Sequence, residues 1–256
     1  MKKKILALCL AAALAATAIA GGTLAWFTDT TDAAANTFTV GSVKIALEEP
    51  NWEGDATLMP GVCFAKDPTI TVEEKSQDAY VFLKIELNKY VSLVNLMGVD
   101  AYKNQVGGLQ GEYPGFTQFV EMLAADNTLR QAVLDRWFTG IDHSAWKVMN
   151  LEEIRAAAAG VADQTNPARL TVVLGCISGE DDTLSGGESV TFMTGFGMPA
   201  TITASMFDGE DAYRIDGVSK SNFNTDAAPF KMTFTAYAIQ KAGLDTIDAA
   251  YTALFG

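Results

Sequence analysis

The sequence predicts a mainly β protein in which a sheet domain is interrupted by a helical insertion at about residues 90–165. Three observations carry that expectation. Apolar residues alternate with period two before residue 90 and again after residue 165, and between those limits they recur at three- and four-residue spacing. The early strands alone would form a few-stranded sheet with one bare face. The late strands carry apolar faces of their own, so early and late strands are expected to pair.

The chain opens on Lys2, Lys3 and Lys4, runs through apolar residues 5–20 and reaches the small residues Gly21, Gly22, Thr23 and Ala25. A cationic start, an apolar middle and an Ala-x-Ala-like end are the pattern of an export signal, residues 1–25, cut between Ala25 and Trp26. A retained anchor is the competing reading. The run of 16 residues falls short of the roughly 20 that span a bilayer, and alanine dominates it. Lipid attachment at Cys9 is disfavoured by bulky Leu8 before it and by its place inside the run.

Cleavage would leave residues 26–256, expected to form one domain. The leader carries three of the 18 basic residues, so 15 remain against 31 acidic ones, a net charge of about −16 with His143 neutral. Such a surface repels nucleic acid and anionic membranes and favours solubility or cation-bridged contacts. Cys63 and Cys176 remain after cleavage, both in strand-like sequence. One disulfide or two buried thiols suit an exported chain of this size equally.

In chain order, the first strand is expected in 37–47, where Val43, Ile45 and Leu47 share a face. Further strands are expected in 62–72, 79–87, 170–177, 189–196 and 230–239, with Val81, Leu83, Ile85 and Leu87 as a core face. Helices are expected in 116–123, 129–137 and 151–159, with Asn127 and Asn150 as caps and Gly160 as a stop. The acidic, glycine-rich stretch 178–187 reads as a turn between strands. A short helix over 245–255, capped by Asp245 and carrying Ile247, Tyr251 and Leu254 on one face, closes the chain.

Catalytic groups are scarce, and no catalytic, cofactor-binding or metal-ligating residue is assigned. The one histidine, His143, excludes every two-histidine zinc site and leaves serine or cysteine catalysis a single possible base. Neither Cys63 nor Cys176 has the electropositive neighbours that stabilise a thiolate. Glu180, Asp181 and Asp182 offer oxygen ligands for calcium but lack the alternating spacing of a calcium loop, so a solvated turn is favoured. Gly195 and Gly197 form a Gly-x-Gly without the third glycine or the lysine of a phosphate cradle. The new amino terminus invites a functional reading. Trp26 and Phe27 lead a threonine-rich tract of high strand propensity that could add to another subunit's sheet edge, or pack back on its own sheet.

Residues 21–30, GGTLAWFTDT, followed by 36–45, NTFTVGSVKI, resemble the start of the TasA/camelysin family. The turn Leu58-Met59-Pro60-Gly61, residues 78–84 and residues 234–240 with the helix after them are similar to later parts of the same pattern. The resemblance implies a jelly-roll-like antiparallel β-sandwich, processing by an ER-type signal peptidase, and export into Gram-positive biofilm matrix as fibre subunits. It further implies a homopolymer in which the freed terminus donates a strand, with Trp26, Phe27, Phe38 and Val40 as the assembly residues. Other matrix proteins or polysaccharide are further partners on that reading, with no cofactor, and a monomeric matrix adhesin is an alternative. The camelysin name carries a metalloprotease label, for which this sequence offers no zinc motif.

Overall fold

A computed structural model describes residues 42–52, 54, 58–160, 169–203 and 230–256. All of them lie in one compact unit, Gly41–Gly256. Among the described residues, ten strands form three antiparallel sheets and there are five helices.

Early and late strands pair. In the first sheet β1 (Ile45–Glu48) and β8 (Ser189–Thr191) flank β3 (Thr69–Val72). In the second, β2 (Cys63–Ala65) and β5 (Phe138–Thr139) flank β9 (Gly195–Gly197). The largest runs β10 (Met232–Gln240), β4 (Ala79–Leu87), β7 (Leu170–Cys176), β6 (Trp146–Val148). The helices are α1 (Tyr90–Lys103), α2 (Phe116–Ala125), α3 (Asn127–Leu134), α4 (Leu151–Gly160) and α5 (Ile247–Phe255).

The expected run 62–72 is two strands in two sheets rather than one. Pro68 has no N–H to give a ladder, and the residues before it are tied elsewhere. Lys66 Nζ meets Glu49 Oε1 at 2.6 Å, and the Asp67 carboxylate accepts from Asn51 N at 3.0 Å and Asn51 Nδ2 at 2.6 Å. The run 189–196 divides in the same way into β8 and β9. The insertion is not purely helical, because β5 and β6 lie within it and pair with β9 and β7.

The caps differ from expectation by one residue. Asp126, not Asn127, caps α3 by accepting from Leu129 N at 3.0 Å. Thr246, not Asp245, caps α5 by accepting from Ala249 N at 3.1 Å. Each acceptor then sits at the position preceding the first helical residue, where it reaches the third amide. Asn150 directly precedes α4, but its side chain bonds to β7. Nδ2 donates to Thr171 O and Oδ1 accepts from Val173 N, both at 2.8 Å. Gly160 is the last residue of α4 rather than a stop beyond it.

Strand β4 is central and covered on both sides. Val81, Leu83, Ile85 and Leu87 enter the main core, as their alternation predicts. Tyr80 and Phe82 point the other way into a second cluster under α5, where the Phe82 and Phe255 rings meet edge to face at 5.8 Å. Farther along that outer face Lys84 and Glu86 are partly exposed and pair at 3.4 Å.

Candidate functional site

The residues expected to serve in export and assembly, Ala25, Trp26, Phe27, Phe38 and Val40, lie outside the described residues, as does the whole expected leader, residues 1–25. What can be described is the set of edges to which a strand could be added. Strands β1, β2, β5, β6 and β8 end their sheets with two to four residues each. Strand β10 offers nine, and all nine pair with β4 on one side, from Met232 opposite Leu87 to Gln240 opposite Ala79. Among the described residues no strand pairs with its other side. An unpaired edge presents a row of backbone donors and acceptors, the template for strand addition. The edge is held firmly from both faces. Phe234, Ala236 and Ala238 pack on the main core, and Tyr237 packs against Phe255 of α5 at 5.1 Å.

The acidic turn lies beside one end of this strand. Lys241, the residue after β10, holds Asp181 Oδ2 at 2.8 Å. Asp181 and Asp182 adopt left-handed backbone, φ 55° and 59°, a conformation that aspartate tolerates better than most residues. Among the described residues, no three His, Cys, Asp or Glu side chains gather as metal ligands.

His143 stands in a turn after β5, and its Nε2 bonds to Asp135 Oδ1 at 2.7 Å. The neighbouring Ser144 does not present its hydroxyl to the imidazole. It donates to Asp142 Oδ1 at 2.6 Å, and its amide donates to the same oxygen at 2.9 Å. Those two bonds, hydroxyl first, hold the Asp142 carboxyl below its usual range. Hydroxyl and imidazole therefore lack the shared hydrogen bond of a nucleophile and its base. Both cysteines among the described residues are thiols, Cys63 exposed on β2 and Cys176 buried on β7. Burial pushes the Cys176 thiol up, away from the reactive thiolate.

Gly195 and Gly197 serve packing. A Cβ on Gly197 would lie 2.5 Å from Val62 O and 2.6 Å from Cys63 Cα, so only glycine lets β9 approach β2 this closely.

Residues 1–88 match the sequence model of a family described as camelysin metallo-endopeptidase. The chain's amino-terminal third is of the TasA/camelysin family. The match to the TasA/camelysin pattern takes in the leader, the aromatic start and β1 to β4, and it ends at Asn88, two residues before α1 begins. No curated protein and no solved structure matches the chain. Among the described residues no helix is long and apolar enough to cross a membrane.

One buried polar centre had no signal in the sequence. Asp100, on the buried face of α1, is fully inaccessible. Its carboxylate accepts from Arg136 Nε at 2.6 Å, Arg136 Nη2 at 2.9 Å, Asn104 Nδ2 at 2.8 Å and the Thr201 hydroxyl. Asp100 and its partners are separated by up to about a hundred residues, so no local pattern announces them.

Proposed function

We propose that this chain is a secreted structural subunit of extracellular biofilm matrix fibres, built on a jelly-roll-like sandwich and not an enzyme. An ER-type signal peptidase cuts between Ala25 and Trp26, and residues 26–38 then pair with the β10 edge of a neighbouring copy. The observation that carries the reading is the family match over residues 1–88, which spans both the leader and the aromatic segment it would release. The nine-residue edge of β10, unpaired among the described residues, supports it. Thirteen extended residues reach about 43–47 Å, and nine residues of antiparallel strand occupy about 31 Å. The donor is therefore long enough to cover β10 and still leave a connection to its own domain.

A chain lacking residues 26–38 should stay folded by circular dichroism and form no filaments by electron microscopy. Filaments like those of the longer chain would refute strand donation. A synthetic peptide of residues 26–38 added to the shortened chain should slow amide exchange over 232–240, and protection elsewhere with none there would move the acceptor to another edge. A monomer at high concentration, by size-exclusion chromatography at neutral and acidic pH, would instead favour an adhesin that binds polysaccharide or another matrix protein.

A second reading rests on the family's description as a metallo-endopeptidase. Casein hydrolysis by the purified chain, abolished by chelator, would replace the first reading, with His143→Ala as the control.

A further inference from the structure

We propose that the insertion closes a binding site for a free fatty acid, a single acyl chain with an anionic head. A cavity of about 420 Å³ lies between the inner face of the largest sheet and helices α1 to α4. Its volume falls within the roughly 300–1,000 Å³ of small-molecule sites, with room for one acyl chain rather than the two of a phospholipid. The space is partly open to solvent, so a ligand can enter it without unfolding the domain. The sheet contributes Ile85, Leu87, Leu170 and Leu174, and the helices contribute aliphatic residues such as Leu93 and Ile154. Such a wall suits a flexible hydrocarbon, with no ring of polar groups to read a sugar or a nucleotide.

The charges around the cavity single out the head. The chain carries 31 acidic residues against 18 basic ones, yet no Asp or Glu lines this space. Arg130, Lys147 and His143 do. Lys147 and His143 already have acidic partners, Asp248 at 2.8 Å and Asp135 at 2.7 Å. The hydrogen bonds of Arg130 go to neutral acceptors, Leu123 O and Asn127 Oδ1, each at 2.6 Å, and its acidic neighbour Asp126 acts on it through charge without an ion-pair contact. Burial lowers the pKa of this guanidinium, the mark of a cation partly stripped of water. A carboxylate that replaces the lost hydration can be held bidentately by such a group.

The competing occupant is the chain's own segment 204–229, since Met232 at the start of β10 also lines the cavity. The purified chain, delipidated, is titrated with the fluorescent fatty acid cis-parinarate. We expect saturation at one site per chain and displacement by myristate at least tenfold more readily than by tetradecanol, which has the same chain and no charge. Arg130→Gln should erase that preference while leaving the fold intact. Ala124→Trp, or Gln131→Trp where the first variant fails to fold, should abolish binding by filling the space. Equal displacement by acid and alcohol would overturn the proposal, as would no binding at all. So would binding to dimyristoylphosphatidylglycerol vesicles without binding to myristate, or binding that appears only when residues 204–229 are deleted.

Discussion

Replacing Asp100 with alanine would remove the carboxylate on which three parts of the chain converge. These are the last turns of α1, the segment after α3 through Arg136, and the loop after β9 through Thr201. Breaking a buried ion pair by deleting one member costs about 3–5 kcal/mol, because the other charge loses its partner. The Arg136 side chain keeps 28% of its surface accessible and can recover water, so Asp100→Ala should fall near the lower end, about 3 kcal/mol. Arg136→Leu leaves a carboxylate with no accessible surface and should cost at least as much. The double variant has neither orphan, so its loss should fall short of the sum by a coupling of about 1–3 kcal/mol. Urea unfolding measures each value at constant m. For a domain of this size, 3 kcal/mol corresponds to a fall of roughly 6–12 °C in Tm. Additivity within about 0.5 kcal/mol would refute the paired geometry.

Gly98 lies in α1 where a Cβ would stand 2.4 Å from Tyr113 Cε2 and 3.0 Å from Phe119 Cδ1. Alanine gains about 1 kcal/mol of helix propensity but over-packs at a cost of about 1–3 kcal/mol, so Gly98→Ala should lower stability by up to about 2 kcal/mol in urea, and a gain would show the contact to be loose. A thiol reagent should modify Cys63 rapidly in the native chain and Cys176 only after denaturation, because the first is exposed and the second buried; two inert cysteines would mean a disulfide. The Asp142 carboxyl should titrate below its ordinary 3.8, and Ser144→Ala should raise it towards that value by carbon-detected NMR. Its folded pKa is depressed, so its small stabilisation is complete above 3.8 and is lost as pH falls through the lower folded value. A native midpoint at or above 3.8 would contradict the two Ser144 bonds. With 15 basic against 31 acidic residues after the leader, filament formation should speed up as pH drops and self-repulsion fades, and light scattering that stays flat would count against it.

Alternation exposed β4, β7 and β10 almost to the residue, because each has a face buried in one continuous core and period two survives along its length. It failed where a local polar group overrode it. The run 62–72 reads as one strand until Lys66 and Asp67 turn away to Glu49 and Asn51, partners that lie in a loop and show no periodicity. Helix α1 was hidden for the opposite reason. Most of its surface is buried, from Tyr90 to Ala101, so its apolar residues go all round and leave no stripe to detect. The tie between Asn150 and β7 and the charges at Arg130 depend on which elements become neighbours, and no spacing rule encodes that.

The insertion bears on the proposed assembly through the sheet it joins. Without β6, the largest sheet would end at β7 on one side and at β10 on the other, two long strands of seven and nine residues. Strand β6 comes from inside the insertion and covers part of β7, through Trp146 opposite Cys176, Lys147 opposite Gly175 and Val148 opposite Leu174. It presents an edge of three residues, and beyond it Met149 N and the Asn150 side chain take up Val173 and Thr171 of β7. Short edges add strands poorly, whereas long flat ones recruit them. One donor segment and one long acceptor edge then make a heterologous contact, which propagates as an open filament unless its rotation happens to close a ring. Two long edges would permit branching or sheet stacking. Disrupting β6's pairing by Lys147→Pro, with Lys147→Ala as the control for loss of the ion pair to Asp248, should therefore shift the product from unbranched filaments towards bundles or amorphous aggregate in electron micrographs. Unchanged filaments from a folded variant would remove edge protection from the insertion's roles.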